Sequence, residues 1–307
     1  MENIYHEGEK EVQRKAGEEI QANSNGRIVT DSIIKGAINF IEKQPMAIVS
    51  SADQQGKLWT SLLIGDLGFV SVPSPNRISF DRNMIYSDPN DVFFDNIESQ
   101  PFLGSLFIEL STRRRFRVNG RARTDLDKID VDIWEAYPNC PKYIQQRVVS
   151  TPEKFQKTVA GKDFGTTFTA AISAWIASSD TLFVGSQSKD QRLDASHRGG
   201  QPGFVEVLDG QTLKIPDYRG NSMYNTLGNM VQNPNAGLLF IDFEQQKTLQ
   251  LTGKAEVFFD QNSADDLSKT GGTGRYWLFT VSDWVITHDH HTVHWEFMSY
   301  SPFNPAS

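Results

Sequence analysis

Gly68-Phe69-Val70-Ser71-Val72 returns later in the chain as Gly203-Phe204-Val205-Glu206-Val207, an offset of 203 − 68 = 135. Pro101-Phe102-Leu103-Gly104-Ser105-Leu106-Phe107-Ile108-Glu109 returns as Pro234-Asn235-Ala236-Gly237-Leu238-Leu239-Phe240-Ile241-Asp242, an offset of 234 − 101 = 133. Phe116, Val118, Gly120 and Ala122 match Leu249, Leu251, Gly253 and Ala255 at that second offset. Three blocks in one order indicate a unit written twice, with a loop shortened between blocks. Along each copy apolar residues alternate over short segments divided by Gly or Asn turns, the pattern of a small antiparallel barrel. Each copy also holds one short helix: Asp91 to Glu98, stopped by Gln100-Pro101, and Asn225 to Gln232, stopped by Asn233-Pro234.

Outward from the repeat, Glu7 to Glu19 reads as a polar helix, and Thr30-Asp31-Ser32 supply cap oxygens for a second one. That second helix carries Ile33, Ile34, Ala37, Ile38 and Ile41 on one face. From Pro45 the period becomes strand-like, and Met46 to Ser50, Gln55-Gly56 and Leu58 to Leu63 read as a hairpin. The expected division is an N-terminal helical arm over 1–44, a first barrel over 45–125, a helical connector over 126–175 and a second barrel over 176–307.

A net charge of −8 over 307 residues argues against general nucleic-acid binding, which needs excess Lys and Arg. No apolar run approaches the roughly 18 residues of a membrane span, and charged Met1 to Lys15 does not read as a secretory signal, so the cytoplasm is the expected location. One cysteine, Cys140, excludes an internal disulfide and a cysteine-ligated cluster.

Gly203-Phe204-Val205, then Pro216-Asp217-Tyr218-Arg219-Gly220-Asn221-Ser222-Met223-Tyr224-Asn225-Thr226, then Asn233-Pro234-Asn235-Ala236-Gly237 resemble the flavin-binding split barrels of the pyridoxamine 5′-phosphate oxidase family. The narrower flavin-nucleotide-binding branch is similar also at Tyr5-His6-Glu7-Gly8-Glu9, Asn139-Cys140-Pro141-Lys142-Tyr143-Ile144-Gln145, Asp194-Ala195-Ser196-His197-Arg198-Gly199-Gly200 and Ser301-Pro302-Phe303-Asn304-Pro305. The resemblance implies a mainly β (α+β) fold: two tandem split β-barrels of the FMN-binding type with short helices. It also implies FMN held in a groove between barrels. Two subunits usually supply that groove, so a homodimer is one expectation and a groove within one chain the other. Where the oxidases carry an Arg-Lys pair for the flavin phosphate this chain has Ser222-Met223, which argues against pyridoxamine phosphate oxidation itself.

The candidate flavin-binding residues are Ser196, His197 and Arg198 before a double glycine, and Asn221, Ser222, Asn225 and Thr226 at a helix start, where free N–H groups favour an anion. Arg219 could add charge, and the resemblance adds Arg115 and Lys247. On a strand Arg115, Arg117, Asn119, Arg121 and Arg123 share one face, either a charged solvent edge or an anion-facing wall. His288, His290, His291 and His294 read as a polar hairpin tip rather than a metal site, and Cys140 as a fixed turn residue rather than a catalytic thiol. No catalytic residue is assigned. The expected function is an FMN-dependent oxidoreductase or electron-transfer component, with NAD(P)H or a reductase as partner. The alternatives are a non-catalytic flavin or anion sensor and a haem-binding split barrel.

Overall fold

The computed structural model describes residues 4–150 and 160–305, residue 150 by its backbone alone. The chain opens with α1 (Glu7–Ala16), α2 (Glu19–Asn25) and α3 (Lys35–Glu42), followed by β1 (Met46–Ala52), β2 (Leu58–Ile64), β3 (Val70–Ser74) and β4 (Arg77–Asp81). Then come α4 (Val92–Ser99), β5 (Phe102–Glu109), β6 (Arg114–Thr124), β7 (Lys128–Pro138), β8 (Gln146–Ser150) and β9 (Lys162–Gly165). The rest comprises α5 (Ala170–Ser178), β10 (Thr181–Gln187), β11 (Leu193–Gly199), β12 (Glu206–Val207), β13 (Thr212–Pro216) and α6 (Asn225–Gln232). It closes with β14 (Asn235–Asp242), β15 (Lys247–Phe258), α7 (Ala264–Lys269), β16 (Tyr276–Thr287) and β17 (His294–Ser299).

Two antiparallel sheets carry the fold, in the orders β2-β1-β5-β6-β7-β4-β3 and β11-β10-β14-β15-β16-β13-β12. The second order is the first with each strand replaced by its counterpart. Neither sheet closes on itself, so each ends in two edge strands. The repeated glycines show why the sequence blocks match. Gly68 and Gly203 lie at φ 90° and 91°, a region that suits glycine. Each donates its N–H to the end of the preceding helix, Gly68 to the Glu42 carbonyl and Gly203 to the Ala177 carbonyl.

The two sheets lie face to face within one chain. Ile48, Leu62 and Leu106 of the first meet Phe183, Ala195 and Leu239 of the second in a shared apolar core. Burying such a side chain stabilises by about 1.5–3 kcal/mol. This is why β1 and β2 are buried along their whole length: one face packs on their own sheet's core, the other on the opposite sheet. Glycines set the spacing. A Cβ on Gly104 would stand 2.7 Å from the Asp194 backbone nitrogen, and one on Gly237 would stand 2.6 Å from the Leu58 carbonyl oxygen.

Three boundaries differ from the sequence reading. β7 is the fifth strand of the first sheet, so that unit runs to Pro138 instead of 125. Ile129, Val131, Ile133 and Ala136 fill its core, while the intervening acids disguise the alternation. The expected helical connector contains strands β8 and β9 among its described residues, with helix only from Ala170; its segment 151–159 lies outside the described residues. Finally, α3 starts at Lys35, because Thr30 pairs through its backbone with Ala136 and cannot cap a helix.

The N-terminal arm is docked. α1 crosses α6 where a Cβ on Gly8 would come 2.1 Å from the Gly228 carbonyl oxygen. His6 caps α1 reciprocally with Glu9, whose buried carboxylate also accepts from Asn225 at 2.5 Å. Burial, reinforced by Glu135, raises the Glu9 pKa to about 8 despite those hydrogen bonds. Folded protein therefore keeps a proton that the unfolded chain releases near 4.5. This contribution is complete below about pH 4.5 and is lost as pH rises through 8. Melting curves of Glu9→Gln should accordingly fall less between pH 5 and 8.5 than those of the wild type; parallel curves would contradict the assignment.

Candidate functional site

A solvent-open cleft lies between β6 and the loop after β7 on one side, and β11 and the start of α6 on the other. At its base lies Arg117, 4 % exposed. Its guanidinium pairs with Asp194 at 2.8 Å, and donates to the Tyr137 hydroxyl at 2.6 Å, to the Ala195 carbonyl at 3.2 Å and to the Ser196 hydroxyl. Burial disfavours its charge, but Asp194 and Tyr137 outweigh that and raise its pKa. Thr226 donates to the Ser196 hydroxyl at 2.9 Å, tying α6 to β11.

Two residues earlier on the same face of β6 stands Arg115, which donates to the Cys140 carbonyl at 2.7 Å. Burial, then Arg117 and Arg198, push its pKa down to about 9, so it remains charged at neutral pH. Arg198 is shifted downward by burial in the same way. Among the described residues neither Arg115 nor Arg198 has a carboxylate partner, while Asp217, on the cleft wall, is held by Arg275 at 3.1 Å. The cleft is thus a positive patch on a chain of net charge −8. Among the described residues His197, 3 % exposed, has no hydrogen-bond partner on either ring nitrogen, and the Arg198 Nε has none either. Burial, then Arg115 and Arg198, hold the His197 pKa well below its usual value, leaving the imidazole neutral.

The α6 end is shaped for close approach. Ser222 and Tyr224 take the left-handed conformation at φ 62°, and no side chain among the described residues caps the helix. Its first N–H groups are thus left without the usual side-chain partner. Tyr143, also left-handed at φ 66°, packs its ring 5.0 Å from Tyr218 at the cleft wall.

Eight of the ten candidate residues line this cleft: Ser196, His197, Arg198, Asn221, Ser222, Asn225, Thr226 and Arg115. Arg219 does not. Its side chain is 74 % exposed and points to Glu18. Lys247 does not either, because it begins β15, is ion-paired with Asp242 and lies over the Trp175 ring. Arg117, Tyr137, Asp194, Tyr143 and Tyr218 were not among the candidates. Alternation along β6 placed Arg117 on the polar face but could not show which part of that face meets the second sheet. Arg121 and Arg123, farther along, are solvent-exposed.

The matching position on the other side of the molecule is built differently. Thr248 and Gln250 of β15 stand where β6 has Arg115 and Arg117. Gln250 donates to the Thr60 carbonyl and to the Ser61 hydroxyl. Here the histidines depart from the expected hairpin tip: His290 and His291 are buried, and His290 contacts the Leu62 carbonyl at 2.9 Å. His288 and His294 are exposed and bonded to Asp163 and Gln246, because the turn at Asp289 sends the four in different directions. Charge and shape therefore distinguish the two positions.

The part of the chain that supplies β11 and α6 also resembles a known family. Residues 168–281 match the pyridoxamine 5′-phosphate oxidase family model. No curated protein sequence matches the chain. Among solved structures, the chain is similar to HupZ of Group A Streptococcus at 11 % identity, over 44 % of this chain and 98 % of that one, with a TM-score of 0.31. A putative pyridoxamine 5′-phosphate oxidase from Lactobacillus delbrueckii has 14 % identity over 38 % and 93 % of the respective chains, with a TM-score of 0.32. An FAD-binding protein from Mesorhizobium loti has 11 % identity over 43 % and 99 %, with a TM-score of 0.29.

Proposed function

We propose that the chain binds one FMN in the cleft between its two sheets and serves as a flavin-dependent oxidoreductase or electron carrier. The observation that carries this reading is the unpaired cation set of Arg115 and Arg198 facing the uncapped start of α6. An anionic nucleotide would supply the partners these groups lack. Ser196, Asn221, Asn225 and Thr226 offer neutral donors and acceptors, and Tyr143 with Tyr218 an aromatic wall for a flat ring. Bound flavin would supply one- and two-electron chemistry, while the protein sets its orientation and electrostatics. The shared strand order also fits a tandem duplication in which one of two equivalent positions kept the cofactor.

FMN has roughly 30 non-hydrogen atoms, which at about 0.3 kcal/mol each gives a sub-micromolar affinity. Titrating the purified chain into FMN should quench or shift flavin fluorescence. No change at tens of micromolar protein would defeat the reading. Arg198→Gln removes one charge-assisted contact and should weaken FMN about 10- to 100-fold with little change in melting temperature. Unchanged FMN affinity would remove Arg198 from the site.

A further inference from the structure

A second groove, open to solvent and sharing Arg115 and Asn139 with the cleft, lies between α3 and the beginning of β6. Its surface is apolar: Ile34, Ala37 and Phe40 from the α3 side, Phe116 from β6, and Pro138 and Pro141 from the loop after β7. Ile34 is 54 % exposed at its edge. Arg113, Arg114 and Arg115 border it, and their roles differ. Arg113 is structural, donating to the Ile144 carbonyl and the Ser299 hydroxyl. Arg114 is exposed and stands 4.9 Å from the centre of the Phe40 ring. Its cross-strand neighbour Glu109 is engaged by the Thr112 hydroxyl, and among the described residues Arg114 has no ion pair. Arg115 and Asn139 line both this groove and the cleft, and the buried Oδ1 of Asn139 has no hydrogen-bond partner among the described residues.

An apolar floor bordered by Arg114 and Arg115, neither of which has a carboxylate partner among the described residues, selects a ligand with both features. A neutral apolar body would leave Arg114 without a counter-charge, and a small inorganic anion would leave Ile34 uncovered. We propose that this groove binds an organic anion with a flat apolar body, an aryl carboxylate or phosphate, as a second ligand beside the flavin cleft. The body lies on Phe40 and Ile34, and the anion meets Arg114. The groove would take this ligand whether or not the cleft holds a flavin.

The test is calorimetric titration of the full chain with 1-naphthoate and with its uncharged relative 1-naphthamide, in the presence and absence of FMN. Naphthoate should bind in the millimolar range or better, and the amide at least 10-fold more weakly. Arg114→Gln should reduce naphthoate to the affinity of the amide while FMN affinity is unchanged. Phe40→Ala should weaken both probes. Equal binding of the two probes, naphthoate binding indifferent to Arg114→Gln, or one-for-one displacement of naphthoate by FMN would each overturn the proposal. Naphthoate binding that depends on Arg114 in a chain indifferent to FMN would support this groove and defeat only the flavin reading.

Discussion

Arg117→Ala should lower the unfolding free energy by about 3–5 kcal/mol, the cost of leaving a buried carboxylate without its cation. The side chains of Arg117 and Asp194 are 5 % and 4 % exposed, so water cannot replace the lost partner. Arg117 belongs to the first sheet and Asp194 to the second, and the loss therefore falls on the contact that shapes the cleft. Combining Arg117→Met with Asp194→Asn removes both charges and should recover a large part of the stability, though not FMN binding. Urea denaturation of the three proteins checks this. A loss below about 1 kcal/mol for Arg117→Ala would mean that the pair is solvated.

The second large effect concerns spacing. Gly104→Val would bring its Cβ within 2.7 Å of both the Asp194 nitrogen and carbonyl carbon, and within 2.5 Å of the Ser50 hydroxyl. A backbone cannot rotate away as a flexible side chain can, so β5 and β11 must separate. Overpacking of this kind costs roughly 1–3 kcal/mol or more, a melting temperature lower by several degrees. Because Asp194 holds Arg117, the same change should also weaken FMN binding. A variant that melts normally and binds FMN normally would show that the sheets have room to part.

Much of the architecture was legible because repeated backbone requirements leave repeated residues. Gly68 and Gly203 share one left-handed turn, and Gly104 and Gly237 each face an opposing strand; these are the positions where the two halves still match. Resemblance and helix-start chemistry grouped Ser196 to Arg198 with Asn221, Ser222, Asn225 and Thr226, and these residues line one cleft. Arg117 was hidden by geometry: five alternating polar residues share its strand face, and only the docking of the second sheet buries the middle of that row. Lys247 was misplaced for a related reason. It pairs in register with Asp242, at the position Arg114 holds opposite Glu109, outside the cleft. His290 and His291 looked like surface because a turn precedes them. That turn folds them inward, against β2 and Trp295.

The equivalent positions differ in charge: Arg115, Arg117, His197 and Arg198 on one side, Thr248, Gln250, Leu62 and Leu63 on the other, where His290 is packed in. The most direct test is therefore the stoichiometry of FMN binding, measured by calorimetry on a chain whose oligomeric state has been fixed by light scattering. One FMN per chain, lost on Arg117→Ala and unaffected by His290→Gln, is the expected result. Two FMN per chain, or one per two chains, would contradict a single cofactor cleft built between the two sheets of one molecule.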